Sequence, residues 1–109
     1  MATAEAHILD RMKIEFGDKR LALIRTDKAH ELGLPFAVIR ACRDKLTFIE
    51  AAPDERSLRN WKSLHYKKLE GDRDERRTIR INDQYRIVFT INNDCDPPVV
   101  TILEIGDTH

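Results

Sequence analysis

The sequence predicts an α+β domain, a small and mainly antiparallel β-sheet with an N-terminal helical hairpin packed on one face. Three observations carry this. Residues 78–81 and 85–89 alternate apolar with polar on either side of Asn82-Asp83-Gln84, the pattern of a β-hairpin. Residues 36–49 repeat apolar positions at helical spacing behind Pro35. One strand-like run, Met12 to Phe16, precedes that helix, and the other strand-like runs follow it.

The hairpin constrains its own register. A two-residue loop at Asn82-Asp83 would pair Ile79 with Arg86 and mix an apolar residue with a charge on one face. A three-residue loop, Asn82 to Gln84, pairs Ile81 with Tyr85, Ile79 with Ile87 and Arg80 with Arg86. That register separates one apolar face from one polar face, and Asn and Asp tolerate the left-handed backbone such loops often need. It also sets two arginines directly opposite, which destabilises a sheet unless something anionic is near. An internal carboxylate or a bound phosphate would serve.

The other elements follow in order. Met1 to Arg11 reads as an extension or short helix ahead of one domain spanning residues 12–109. Met12, Ile14 and Phe16 alternate with Lys13 and Glu15 as a strand. Gly17-Asp18 ends it, and Asp18 is placed to cap a helix through Arg25, with Leu21 and Ile24 inward. Lys28 to Leu34 continues helical or turn-like. Pro35 opens a helix to about Ala51 that buries Phe36, Ile39, Cys42 or Arg43, Leu46 and Ile49. Pro53 stops it, and Asp54 caps a short helix through Arg59, with Leu58 and Trp61 as packing residues. Strands are expected over His65–Leu69, Arg77–Asn82, Tyr85–Asn92 and Val99–Ile105.

At 109 residues, with 41% apolar and 35% charged content, the chain suits one soluble domain. No apolar run reaches membrane-spanning length and no signal-peptide pattern opens the chain, so a cytoplasmic location is expected. Cys42 and Cys95 lack metal-ligand spacing and read as reduced thiols. The net charge of zero hides a segregation. Residues 1–55 hold nine Lys/Arg against ten Asp/Glu, residues 56–86 ten against five, and residues 87–109 none against four. A basic segment inside a neutral chain points to a local anionic ligand or to an ordinary solvated face.

Candidate chemistry gathers at the end of the chain, Glu104-Ile105-Gly106-Asp107-Thr108-His109. A strand delivering Asp107 and His109 at its exit can place a general acid or base beside the sheet, since a carboxylate orients a histidine ring and raises its pKa. The bland alternative is a terminal histidine that does nothing. His30 reads as surface and His7 lies in the extension. His65 lies near the basic strand, where contact with substrate and packing are equal readings. There is no Ser-His-Asp spacing, no glycine-rich phosphate loop and no set of metal ligands, so no cofactor or metal is expected.

The run Leu69-Glu70-Gly71-Asp72-Arg73, then Ile79-Arg80-Ile81-Asn82-Asp83-Gln84-Tyr85-Arg86-Ile87, then a chain end of Asp-x-His, resembles the HigB-type toxins of bacterial toxin–antitoxin systems, in the RelE/ParE superfamily and the plasmid maintenance killer family. The resemblance extends from about Met12 onward and is specific in its central motif. It implies a RelE-like fold and a ribosome-dependent messenger-RNA endonuclease, neutralised by a cognate helix-turn-helix, HigA-like antitoxin. By the same resemblance Arg86 is the sheet arginine beside the scissile phosphate, and Asp107 and His109 are the terminal acid and histidine. Lys67 and Lys68 fall where the family carries a histidine or other polar residue and its neighbour. Arg73, Arg80 and His65 join them as substrate-binding candidates. Thr108 departs from the family's usual tyrosine, and Lys67 stands near an expected histidine. On an alternating strand His65 would share the face of Lys67 and substitute.

The chemistry expected of such a site needs a base for the RNA 2′-OH, cations for the phosphorane charge and an acid for the leaving 5′-oxygen. Arg80 and Arg86 suit the second role, and His109, oriented by Asp107, suits proton transfer. Two other readings fit the same fold: a non-cleaving toxin that poisons another target such as a topoisomerase, and an attenuated member kept for antitoxin binding.

Overall fold

The computed structural model describes residues 11–69, 71 and 73–107. The proposed extension, apart from Arg11, lies outside these residues, as do Glu70, Asp72, Thr108 and His109. Five strands form one sheet in the order β1-β5-β4-β3-β2: β1 Lys13–Phe16, β2 Lys67–Lys68, β3 Arg77–Arg80, β4 Tyr85–Asn92 and β5 Val99–Asp107. Among the described residues the β1–β5 pairing is parallel and the other three are antiparallel. The expected α+β class, a mainly antiparallel sheet with helices packed against it, is what the chain adopts.

Hairpin β3–β4 takes the three-residue register. Ile79 pairs with Ile87 and Arg80 with Arg86, and the Ile81 N–H donates to the Tyr85 carbonyl at 2.8 Å. Asn82 closes the loop from its side chain, its Oδ1 accepting from the N–H groups of Gln84 and Tyr85 at 2.9 and 2.8 Å. Ile79, Ile81, Ile87 and Phe89 point into the core with Val100, Ile102 and Ile105 of β5. Thr78, Arg80, Arg86 and Val88 share the outward face.

Helix α1, Phe36–Ala51, covers the inner face through Val38, Ile39, Cys42, Leu46 and Ile49. Cys42, not Arg43, is the buried member of that pair, and burial pushes its thiol up to about 12. Both Cys42 and Cys95 are free thiols, the second exposed. Arg43 instead donates to the carbonyls of Ile24 and Thr26 at 2.7 and 2.8 Å, clamping the preceding segment onto α1. Asp54 caps α2, Glu55–Asn60, its Oδ1 accepting from the Ser57 N–H at 3.2 Å.

The first arm of the expected helical hairpin is not an α-helix. It consists of two 3-10 turns, Leu21–Arg25 and Ala29–Leu32. The Thr26 hydroxyl donates to the Leu23 carbonyl at 2.8 Å and ends the first turn, while Gly33 ends the second in the left-handed region at φ 73°. Four- and five-residue pieces are too short to repay α-helix nucleation. Asp18 accepts from the Arg20 N–H at 2.8 Å but caps no helix. Phe36 is corrected as a buried residue, while Trp61 packs from the surface through one ring contact. Phe36 is 71% exposed under the Arg40 guanidinium, and Trp61 is 51% exposed, tilted against Phe48.

Candidate active site

The outward face of β2–β5 holds a cleft of about 660 Å³ lined by Lys67, Leu69, Thr78, Arg86, Val88, Glu104 and Asp107. Its centre is built by register. Lys67 pairs with Thr78, Thr78 with Val88 and Val88 with Glu104, making one row across four strands. Beside it runs Arg80, Arg86 and Gly106. Arg86 Nη1 donates to Thr78 Oγ1 at 3.0 Å and, among the described residues, has no carboxylate partner. Gly106, directly opposite, contributes no side chain, and a Cβ there would meet nothing within 4 Å. The planar guanidinium therefore stands beside open space, where its parallel N–H groups can take two oxygens of one anionic group such as a phosphodiester.

Arg80 is occupied differently. It donates to the Asn82 carbonyl at 3.1 Å, pairs with Asp83, and lies 3.1 Å from His65 Nε2. The repulsion expected between Arg80 and Arg86 is thus offset by an internal carboxylate on the Arg80 side. A guanidinium has only donors, so Nε2 is the acceptor in this contact.

His65 is not in a strand. It ends a 3-10 turn, Lys62–Leu64, in the left-handed region at φ 49°, and β2 is only two residues long. The expected alternation that would put His65 beside Lys67 is therefore lost, and His65 is brought to Arg80 and not into the cleft. Lys68 pairs with Arg77 on the opposite face from Arg86 and lies 3.6 Å from Glu75. Arg73 is exposed in the turn between β2 and β3, apart from the cleft lining. Asp107 reaches the cleft and accepts from Gln84 Nε2 at 2.8 Å. The expected Asp107–His109 pairing falls outside the described residues.

Three features went unread in the sequence. The first is Arg77, one of the ten basic residues in the charged segment, which is buried. Its Nε donates to Glu55 Oε2 at 2.8 Å and to the Tyr66 hydroxyl at 3.0 Å, and its Nη1 to the Glu75 carbonyl at 2.6 Å. The Tyr66 hydroxyl donates to Glu55 as well. Burial pushes the Glu55 carboxyl up, but hydrogen bonds from Tyr66 and Arg77 outweigh it and leave the pKa below its ordinary value. Burial and then the Glu55 carboxylate push the Tyr66 phenol up to about 12. This cluster anchors the base of the β2–β3 hairpin, which carries Lys67 over the cleft.

The second is Glu104. A bulge at Val88/Phe89 lets Leu103 and Glu104 together oppose Val88, and turns Glu104 into the cleft. The signal was available: Ile102 and Ile105 are both buried and three apart, a spacing that period-two alternation forbids. The third is Thr78, the hydroxyl that fixes Arg86. Among the described residues, no group of three or more His, Cys, Asp or Glu is arranged to hold a metal ion.

The cleft on the outer face of the sheet thus carries two cations, Lys67 and Arg86, and two carboxylates, Glu104 and Asp107. Residues 14–100 match the model of the family described as RelE-like toxin of type II toxin-antitoxin system HigB, and the chain belongs to that family. It is 37% identical over 79 residues to Toxin HigB-1 of Vibrio cholerae serotype O1, covering 72% of this chain and 82% of that one. In structure it is similar to the YoeB/ParE toxin from Agrobacterium tumefaciens, with a TM-score of 0.51 at 14% identity, covering 90% of this chain and all of that one. That likeness concerns the fold alone. The family match ends at Val100, ahead of Glu104 and Asp107.

Proposed function

We propose that this HigB-type toxin of a type II toxin–antitoxin system acts as a messenger-RNA endonuclease on the ribosome, in the cytoplasm, and that its antitoxin is a HigA-like helix-turn-helix protein. What supports this reading is one arrangement: Arg86 held by Thr78 beside the vacant floor at Gly106, with Lys67 and Asp107 on the walls.

The reaction is a transesterification within the RNA that balances with one proton taken up and one given back. The 2′-oxygen of the substrate loses its proton to a base and bonds to the adjacent phosphorus. The bond from phosphorus to the 5′-oxygen breaks, and that oxygen takes a proton from an acid. The products are a 2′,3′-cyclic phosphate and a 5′-hydroxyl. Arg86 contacts the non-bridging oxygens and stabilises the charge that builds on them. Lys67 adds a second cation across the cleft. Arg80, held by Asp83, contributes field at the rim and no direct contact. His109 exchanges the protons, with Asp107 orienting it.

The test is induced expression with mapping of messenger-RNA 5′ ends, repeated with purified ribosomes and with free RNA. Cleavage only on ribosomes, lost in Arg86→Ala, is the expected result. Growth arrest without new 5′ ends would overturn the endonuclease reading and favour a non-cleaving target.

A further inference from the structure

We propose that Glu104 determines specificity, accepting hydrogen bonds from the amino group of the base whose phosphate lies on Arg86. The inference rests on the RNA reading above and deepens it. Glu104 lines the same cleft as Arg86, Lys67 and Thr78. Its carboxylate is exposed and, among the described residues, makes no hydrogen bond or ion pair. A bulge, which distorts the β4–β5 ladder, is what aims it there.

A carboxylate beside Arg86 repels the phosphate that Arg86 would hold and so faces another part of the nucleotide. Gly106 opposes Arg86, so Glu104 is its diagonal neighbour across the strand pair, roughly 7–8 Å away. That separation sets a phosphate on one group and a base edge near the other. Val88, opposite Glu104, and Leu69, next to β2, make up the apolar part of the lining. A carboxylate has acceptors only. It matches cytosine N4 or adenine N6, each of which presents two N–H donors, and mismatches the uracil O4 carbonyl, which would leave two acceptors face to face. Single-stranded bases, with their Watson–Crick edges open, are the form in which RNA offers these groups.

The experiment is an NMR titration of the isotopically labelled full chain with cytidine 3′-monophosphate and uridine 3′-monophosphate. Cytidine should bind about tenfold more tightly, the lower part of the discrimination that one good base contact gives. The amides of Glu104 and Gly106 should be among those that shift. Glu104→Gln, whose amide can both donate and accept, should bring the two nucleotides within about twofold of each other. Equal affinities in the natural chain, no binding of either nucleotide, or a preference retained in Glu104→Gln would each overturn the proposal. None of these readouts needs cleavage. A cytidine preference without cutting on ribosomes would therefore sink the endonuclease reading and leave the base contact standing.

Discussion

Arg86 of β4 and Gly106 of β5 stand opposite one another on the outward face of the sheet, the charge on one side and no side chain on the other. The space is open, so the first atoms of a side chain fit there without strain. Gly106→Ala should fold normally and cut RNA at close to the natural rate. Gly106→Leu should fold equally well, since β-strands favour a branched side chain over glycine. It should nevertheless lose about 10²-fold in cleavage by displacing the phosphate from Arg86. Thermal melting beside ribosome cleavage assays checks this, and a Leu variant that cuts normally would move the phosphate elsewhere.

Arg86 itself supports no core packing, its contact being the Thr78 hydroxyl. Arg86→Ala should lower the cleavage rate by about 10²–10³-fold, the scale of one lost transition-state donor. The melting temperature should stay close to that of the natural chain. Arg86→Lys should recover only part of the rate, because an ammonium keeps the charge but not the fork. Full recovery with Lys would show that charge alone is used.

At the chain end, deleting His109 or changing it to Gln should cost about 10²- to 10⁴-fold in rate. Asp107→Asn should cost less, since it orients the ring without moving the proton. Thr108→Tyr should leave activity equal or raise it. Unchanged cleavage without His109, set against its loss in Arg86→Ala, would place proton transfer on Lys67, on His65 after rearrangement, or on the ribosome.

The β3–β4 hairpin was legible because one face is buried, and a one-residue slip would expose all of it. Helix α1 and the Asp54 cap were legible for local reasons, period and side-chain chemistry. The losses have physical causes too. Arg77 occupies an inward position by the same alternation that places Ile79, but its charge suggested the surface. Its partner Glu55 lies 22 residues earlier, on α2, where no local pattern connects them. Glu104 was hidden by the bulge. His65 was placed in a strand that a left-handed residue interrupts. The charge balance also overstated the basic surface, since Arg77, Arg80 and Lys68 each face an internal carboxylate.

Arg77 and its half-buried partners Glu55 and Tyr66 give the fold a stability profile with two limbs. Glu55 titrates lower in the folded protein than its ordinary 4.5. Its contribution is therefore complete above that value and is lost as pH falls through the folded pKa. Tyr66 is displaced upward, from 10.0 to about 12. Between those values the unfolded chain ionises while the folded one resists, so stability is lost again as pH rises from 10 towards 12. Urea titrations across pH should show both limbs. Glu55→Gln should flatten the acid limb and Tyr66→Phe the alkaline one. Arg77→Ala, which leaves the half-buried Glu55 carboxylate with Tyr66 alone, should cost about 1–3 kcal/mol at neutral pH, the scale for leaving such a group short of a partner. A cost under about 1 kcal/mol would mean that water reaches Glu55 in solution and that the pair behaves as a surface one. The β2–β3 hairpin would then not depend on it for its position, and Lys67 would have to be held over the cleft by the β2–β3 pairing alone.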